Sequence, residues 1–98
     1  MAHDQATILA VWKKGTATTN NDPAVWRLDA CGAWMQFSKY GDRDSQYGWE
    51  IDHIISIDRG GLDALSNLRP LQWENNVATG TKNLVCTVKA KGKDNGPI

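Results

Sequence analysis

The amino-acid sequence predicts a small α+β domain, and three observations lead to this class. The chain has 98 residues, of which 41% are hydrophobic and 22% charged, as is ordinary for one globular domain with a thin core. Residues 49–54 alternate apolar and polar side chains, the period of a half-buried strand. Residues 5–14 and 73–78 instead have patterns typical of short helices. We therefore expect residues 1–98 to form a single α+β domain.

The N-terminal half predicts two short helices and one strand. Asp4 is a suitable N-cap for a helix over residues 5–14, whose apolar side chains can share one side. Residues 15–23 are rich in turn-forming residues and predict a loop. Residues 24–29 predict another helix because a proline precedes them. Residues 33–40 predict a strand with three aromatic side chains for packing.

The central region predicts the order strand, long loop, strand, helix. The strand over residues 49–54 places Glu50 and Asp52 on the face opposite Trp49 and Ile51. A glycine pair at residues 60–61 marks a turn inside the loop that follows.

A second strand is expected over residues 68–72, where Pro70 restricts it to an edge position or a bulge. The helix over residues 73–78 then ends before Gly80.

The C-terminal region predicts one strand and little else. Residues 84–88 have the composition of a terminal strand, whereas residues 90–98 show no pattern of regular structure. No apolar run is long enough for a membrane span or a signal core. We therefore expect a cytoplasmic protein in which Cys31 and Cys86 are free and reduced.

The charges cancel overall but are unevenly distributed. The chain has 11 basic and 11 acidic residues, which excludes a polybasic arm as its main means of binding. Residues 41–63 nevertheless carry six acidic and two basic residues, and residues 82–98 carry four lysines and one aspartate. An acidic centre beside a basic tail suits a bound cation next to a polyanion, although two solvated faces would give the same distribution.

One run of residues has motif spacing that points to chemistry. His53 directly follows Asp52 in the central strand, Asn67 lies 14 residues further on, and Asn76 another nine. The whole run over residues 49–76, WEIDHIISIDRGGLDALSNLRPLQWENN, resembles the HNH endonucleases, also called the ββα-metal or His-Me finger family. The resemblance implies a ββα-metal finger, with an N-terminal helix and extra short strands added to it.

Hydrolysis of a phosphodiester needs an activated water and charge neutralisation on the phosphoryl oxygens. A neutral imidazole is a suitable base near pH 7, and the resemblance gives this role to His53. It also implies that Asp52 and Asn76 hold one divalent metal ion, Mg²⁺ or Mn²⁺, since both offer hard oxygen ligands. By the same resemblance, Asn67 ties the loop through side-chain to backbone hydrogen bonds, and Glu50 orients the base.

Each of these residues also has a structural interpretation. Taken alone, His53 is more often a histidine satisfied within its strand, and Asp52 a solvated acid or a partner of Arg69. Asn67 alone is a cap or turn residue. Asn76 alone belongs to the polar face of a helix.

The sequence departs from the family pattern at the positions of a zinc knuckle. Many HNH proteins carry four zinc-binding cysteines, but here only Cys31 is a cysteine, while Trp34, Gln72 and Asn75 stand at the other positions. We therefore expect no structural zinc, and a finger held by the packing of Trp34 and Trp73.

A second departure concerns phosphate binding. Some members have basic residues just after the final Asn, where this chain has Val77 and Thr79. We expect other basic residues to contact nucleic acid in their place, namely Arg69, Lys82, Lys89 and Lys91.

The sequence as a whole predicts one HNH nuclease domain with its finger core at residues 48–80. The expected function is metal-dependent hydrolysis of DNA phosphodiester bonds, nicking one strand per site with low sequence specificity. The alternative is a catalytically weak or inactive DNA-binding module that retains the fold. The expected partner is DNA, without a membrane; the protein is expected to be a monomer, with a dimer as the alternative, and of bacterial or phage origin.

Overall fold

The computed structural model describes residues 3–98 and confirms the α+β class. Two helices alternate with short strands and three single turns of 3-10 helix. The elements in chain order are α1 (Gln5–Trp12), β1 (Trp26–Leu28), β2 (Trp34–Gln36), β3 (Trp49–His53), β4 (Leu68–Gln72), α2 (Trp73–Thr79), β5 (Val88–Lys91) and β6 (Asp94–Pro97). The 3-10 turns are Phe37–Lys39, Ile57–Arg59 and Leu65–Asn67.

The described strands form three separate antiparallel pairs, β1 with β2, β3 with β4, and β5 with β6. In the central pair, Trp49 lies opposite Gln72 and His53 opposite Leu68. Pro70 sits in this two-stranded pair without disrupting it, because both of its strands are edges. The pair is followed directly by α2, so the predicted order of strand, loop, strand and helix is confirmed.

The core lies between α1 and the central strand pair. The Asp4 carboxylate accepts a hydrogen bond of 2.7 Å from the backbone N–H of Thr7, as expected of an N-cap. Trp12 is buried, and its ring centroid lies 5.2 Å from that of the fully buried Trp49. This contact fixes the start of β3 against α1.

The predicted helix over residues 24–29 is wrong, since residues 26–28 form β1. Arg27 lies opposite Met35 of β2, and Leu28 also bridges to Thr16 on its other side. A six-residue segment gains little from helix propensity alone, so pairing on both edges decides its structure. The predicted strand over residues 33–40 is shorter than expected, because a 3-10 turn begins at Phe37.

The C-terminal predictions are also wrong. Residues 84–87 form no strand, whereas residues 88–97 form the hairpin of β5 and β6 around a turn with Gly92 at φ 65°. Cys31 and Cys86, expected as free thiols, form a disulfide with Cα atoms 5.5 Å apart. The fold brings together two residues whose separation in the sequence gives no sign of their proximity. None of the described helices is long and apolar enough to cross a membrane.

Candidate active site

Asp52 and His53, the acidic and the basic residue of the predicted site, lie in the second half of β3. Asp52 is buried, with 7% of its side chain exposed, and its Oδ2 accepts a hydrogen bond of 2.8 Å from Nε of Arg69. Arg69 lies opposite Asp52 in the strand register, which accounts for the pairing. Arg69, expected to contact nucleic acid, is thus engaged in an ion pair within the protein.

Burial raises the pKa of the Asp52 carboxyl, and the hydrogen bond and charge of Arg69 only partly offset this effect, so the net pKa lies above its ordinary value. Only Oδ2 meets Arg69. Within residues 3–98, Oδ1 of Asp52 accepts no hydrogen bond. A second positive charge near Oδ1 would therefore stabilise the ionised form.

His53, at the end of β3, is held by a residue that the motif does not include. Its Nε2 lies 2.8 Å from Oδ1 of Asp63, and about a quarter of its side chain is exposed. When Nε2 carries the proton and donates it to Asp63, Nδ1 is left as the acceptor. In the sequence, Asp63 is one of six acidic residues within residues 41–63, and no motif distinguishes it from the others. Its position just after the Gly60–Gly61 turn is the one signal that could have identified it.

Asn67 ties the loop between β3 and β4 to the end of β3. Its Oδ1 accepts from the backbone N–H of Ile55 at 2.9 Å, and its Nδ2 donates to the backbone oxygens of Ile55 and Leu62 at 2.9 and 2.7 Å. The neighbouring turn requires Gly61, because a Cβ there would lie 1.7 Å from the backbone oxygen of Ile55. These contacts fix the loop that carries Asp63.

Glu50 contacts Asn76 rather than the imidazole. Nδ2 of Asn76 donates to Oε1 of Glu50 at 2.8 Å, and Arg43 donates to both Glu50 oxygens at 2.6 and 2.9 Å. Among the residues that the structure describes, Glu50 makes no hydrogen bond with His53. The contact turns the amide of Asn76 so that its Nδ2 meets the carboxylate, and its Oδ1 accepts no hydrogen bond from residues 3–98.

Burial raises the pKa of Glu50, but the hydrogen bonds from Arg43 and Asn76 and the charge of Arg43 together outweigh it, and the net pKa lies below its ordinary value. Glu50 therefore carries its negative charge near pH 7. The charged carboxylate accepts the hydrogen bond from Nδ2 of Asn76 and so fixes the orientation of that amide.

Asp52, His53 and Asn76 line one open cleft of about 290 Å³. Ser56 lines it as well, and its buried Oγ has no hydrogen-bond partner within the described residues. The remaining lining residues are Ile51, Ile57, Asp58, Gly80 and Thr81. The strand end, the loop and α2 thus each contribute to the cleft lining one residue, Asp52, Ser56 or Asn76, that has a side-chain oxygen without a hydrogen-bond partner within residues 3–98.

This donor set suits a hydrated hard cation better than a fully enclosed metal. Residues 3–98 contain no cluster of three or more His, Cys, Asp or Glu side chains placed to hold a metal ion. One carboxylate oxygen and one amide oxygen leave several coordination positions for water and phosphate, as Mg²⁺ prefers. The residues present therefore fit a divalent ion that is shared with a substrate.

The other predicted nucleic-acid contacts lie outside the cleft lining. Lys82 is exposed two residues beyond Gly80, which lines the cleft. Lys89 and Lys91 are exposed on β5. The structure therefore brings together the strand and helix residues of the motif and leaves the lysines on the surrounding surface.

The positions of the family's zinc knuckle are joined here by a buried carboxylate that the sequence did not indicate. Asp29, 4% exposed, accepts hydrogen bonds from the backbone N–H groups of Cys31, Ala33 and Gln72 at 2.8–2.9 Å. It also accepts from Nδ2 of Asn75 at 3.1 Å. Asp29 therefore holds these segments together. Trp34 and Trp73 also donate their indole N–H groups, to the backbone oxygens of Gly92 and Ser45.

One of three comparisons with known proteins gave a match. The model of a family described as HNH endonuclease matches residues 36–81, a range that includes β3, β4, α2 and all the cleft residues. The search of curated proteins and the search of solved structures each gave no match. The match supports assignment of residues 36–81 to the HNH endonuclease family, and this family suggests nuclease activity in general.

Proposed function

We propose that the protein is a divalent-metal-dependent DNA endonuclease that hydrolyses phosphodiester bonds, nicking one strand per site with low sequence specificity. The observation that carries the proposal is the single cleft lined by Asp52, His53 and Asn76. In this proposal β3, β4 and α2 act as a ββα-metal finger with its core at residues 48–80, inside one domain. Mg²⁺ and Mn²⁺ both suit its oxygen ligands.

His53 is the proposed general base. With Nε2 held by Asp63, its Nδ1 is the atom that takes the proton from the attacking water. The Asp63 carboxylate keeps the ring in this tautomer and stabilises the imidazolium that forms. Asn67 supports the arrangement by tying the loop that carries Asp63 to the end of β3.

Asp52 and Asn76 are the proposed metal ligands, through the Oδ1 atom of each. A divalent ion bound there would neutralise charge on the phosphoryl oxygens and stabilise the leaving 3′ oxygen. Glu50 is a positioning residue in this proposal, since it fixes the amide of Asn76 rather than the base. Arg69 keeps Asp52 in place through Oδ2 and leaves Oδ1 for the ion.

DNA binding is proposed to rest on phosphate contacts. Lys82, Lys89 and Lys91 are exposed outside the cleft lining and are the proposed phosphate contacts. Phosphate contacts carry no sequence information and weaken as salt concentration rises, so binding should be salt-sensitive and poorly selective. One cleft of this type in a monomer cuts one strand per binding event.

A second candidate function is a DNA-binding module without cleavage. The observation that favours it is the ion pair of Asp52 with Arg69, which already balances the carboxylate that would bind a metal ion. This candidate predicts that DNA is retained but never nicked, whichever divalent ion is added. It also predicts that Asp52→Asn leaves DNA retention unchanged.

The test of the first candidate is the nicking of supercoiled plasmid in Mg²⁺ or Mn²⁺, with EDTA as the metal-free control. His53→Ala should lower the nicking rate by about 10²–10⁴-fold, the usual contribution of a general base. Asp52→Asn should need more Mn²⁺ for the same rate, while Asp44→Asn, at an exposed acid outside the cleft, should behave as wild type. Equal rates for wild type and His53→Ala would remove His53 from the mechanism, and no nicking by wild type in either ion would favour the second candidate.

A further inference from the structure

A second open cleft, of about 300 Å³, shares no lining residue with the candidate active site. It is lined by Asn21, Trp26, Trp34, Tyr47 and Lys93. The ring of Trp26 stands at 81° to that of Trp34 and at 87° to that of Tyr47, with centroids 6.2 and 4.9 Å apart. Three half-buried rings and one lysine therefore surround a space that nothing in the described chain fills.

The walls of this aromatic cleft are fixed by hydrogen bonds on their outer side. Tyr47 donates its hydroxyl to the backbone oxygen of Lys93 at 2.8 Å, and Nε1 of Trp34 donates to the backbone oxygen of Gly92 at 2.8 Å. Both contacts hold the turn between β5 and β6. Trp26 differs, because its indole N–H makes no hydrogen bond within residues 3–98. Its ring is therefore available to a ligand without loss of a tie to the scaffold.

The chemistry of the lining selects the class of ligand. Lys93 is the single charged residue among the five lining residues, and Asp94, whose Oδ1 lies 3.5 Å from the Tyr47 hydroxyl, is not one of them. The lining therefore favours an anionic group over a cationic guest such as a quaternary ammonium group. A ligand that uses both parts of the cleft needs a flat, polarisable ring and a nearby negative charge. A nucleotide has both, since a base stacks on aromatic side chains and its phosphate pairs with lysine.

We propose that the aromatic cleft binds an unpaired nucleotide, with its base against Trp26 and its phosphate at Lys93. The inference deepens the proposed function, on which it rests for the choice of DNA as ligand, but it requires binding and not cleavage. Lys89 and Lys91 are exposed on the same hairpin as Lys93 and continue the positive charge along it. A paired base cannot enter, because its face is covered by its neighbours in the duplex.

The position of Tyr47 relates the two clefts. It lies two residues before β3, and His53 ends that strand, so the backbone between them spans at most roughly 20 Å at about 3.3 Å per residue. That span corresponds to roughly six nucleotides at about 3.4 Å each. A strand with an unpaired nucleotide a few positions from the cut could therefore contact both clefts.

The test measures binding of a short labelled oligo(dT) to the full chain by fluorescence anisotropy in EDTA, which prevents cleavage. Trp26→Leu should weaken binding roughly tenfold, as expected for the loss of one stacked base. Lys93→Gln should weaken it several-fold and lower its salt dependence. Trp26→Phe, which keeps a ring, and Lys13→Gln, at an exposed lysine that lines neither cleft, should bind as wild type. The same variants should change binding to a matched duplex little.

Free dTMP distinguishes a site for a single nucleotide from one that requires a strand. Addition of dTMP to the ¹⁵N-labelled wild type should shift the indole N–H resonance of Trp26 if the cleft takes the nucleotide itself. A shift with oligo(dT) alone assigns the site to a strand. No shift with either ligand, or equal oligo(dT) affinity for wild type and Trp26→Leu, overturns the proposal. Because oligo(dT) binding is measured in EDTA, where no cleavage occurs, a failure of cleavage is distinguishable from a failure of this site.

Discussion

The two sides of α2 differ in how their polar groups are satisfied, and two consecutive residues show the difference. Asn75 is fully buried; it donates to Asp29 and Val88 and accepts from the backbone N–H groups of residues 87 and 88. The side chain of Asn76, which lines the cleft, makes one hydrogen bond within residues 3–98, from Nδ2 to Glu50. The side with Asn75 is a scaffold in which buried polar atoms are paired, as folded proteins require.

The cleft side instead keeps oxygens without partners. Oδ1 of Asp52, Oγ of Ser56 and Oδ1 of Asn76 accept no hydrogen bond from the described residues. Of the three, Ser56 Oγ is the one that is buried, and a buried polar atom without a partner costs free energy. The loop beside the cleft also exposes five large apolar side chains, Ile54, Ile55, Ile57, Leu62 and Leu65. The two faces of α2, a helix of only seven residues, therefore differ: one pairs its buried polar groups, and the other lines the proposed active site.

The largest stability effect should come from the disulfide on the scaffold side. Cys31 and Cys86 are separated by 55 positions, and a cross-link over a loop of that length stabilises by about 4 kcal/mol in the chain-entropy model. The double variant Cys31→Ser with Cys86→Ser should lose stability by about this amount in urea unfolding. Reductant should destabilise wild type and leave the double variant unchanged. Equal stability of the reduced and oxidised wild type would show that this link does not support the scaffold.

The next largest loss of stability is expected at Asn75. A comparison with Asn76 tests the difference between the two sides of α2. Asn75→Ala should cost about 3 kcal/mol, because it removes several hydrogen bonds and leaves the Asp29 carboxylate with one donor fewer in a buried site. Asn76→Ala should cost less than about 1 kcal/mol and lower the rate of plasmid nicking at limiting Mn²⁺. Thermal unfolding and nicking measured on both variants check this. The proposed difference between Asn75 and Asn76 would be contradicted if Asn76→Ala were the more destabilising of the two. It would also be contradicted if Asn75→Ala lost nicking without losing stability.

The sequence predicts the elements whose structure depends on local patterns. β3, β4 and α2 have local patterns, namely the alternation in residues 49–54 and the helix that starts at Trp73, and they lie close to the predicted bounds. The Asp4 cap was predictable for the same reason, since its partner Thr7 is three residues away.

Contacts between distant segments were not predictable. β1 is a strand because of its pairing with β2 and with Thr16, and the β5–β6 hairpin and the disulfide also depend on the assembled fold. Asp29 and Asp63 were missed because each acts on a partner that only folding brings near. For the candidate site, motif spacing gave three of the residues that line the cleft, Asp52, His53 and Asn76, whereas Ser56 and the partner of each side chain came from the structure.

Asp63 should give the smallest of these effects, and it tests whether the functional side depends on a residue outside the motif. Asp63→Ala should lower kcat for nicking roughly tenfold, because His53 loses the acceptor that fixes Nε2. Asp63→Asn should lose less, since its amide oxygen can still accept from Nε2. KM for DNA and the thermal midpoint should stay near wild type in both variants, because the Asp63 side chain is 44% exposed and supports no core contact.

A graded order of wild type, Asp63→Asn and Asp63→Ala in kcat at constant KM would separate positioning of the base from a structural role. A structural role would instead lower the thermal midpoint of both variants to a similar extent. Equal kcat in all three proteins would show that the loop tied by Asn67 is enough to hold His53. The functional side would then rest on backbone contacts, as the scaffold side rests on buried side-chain contacts.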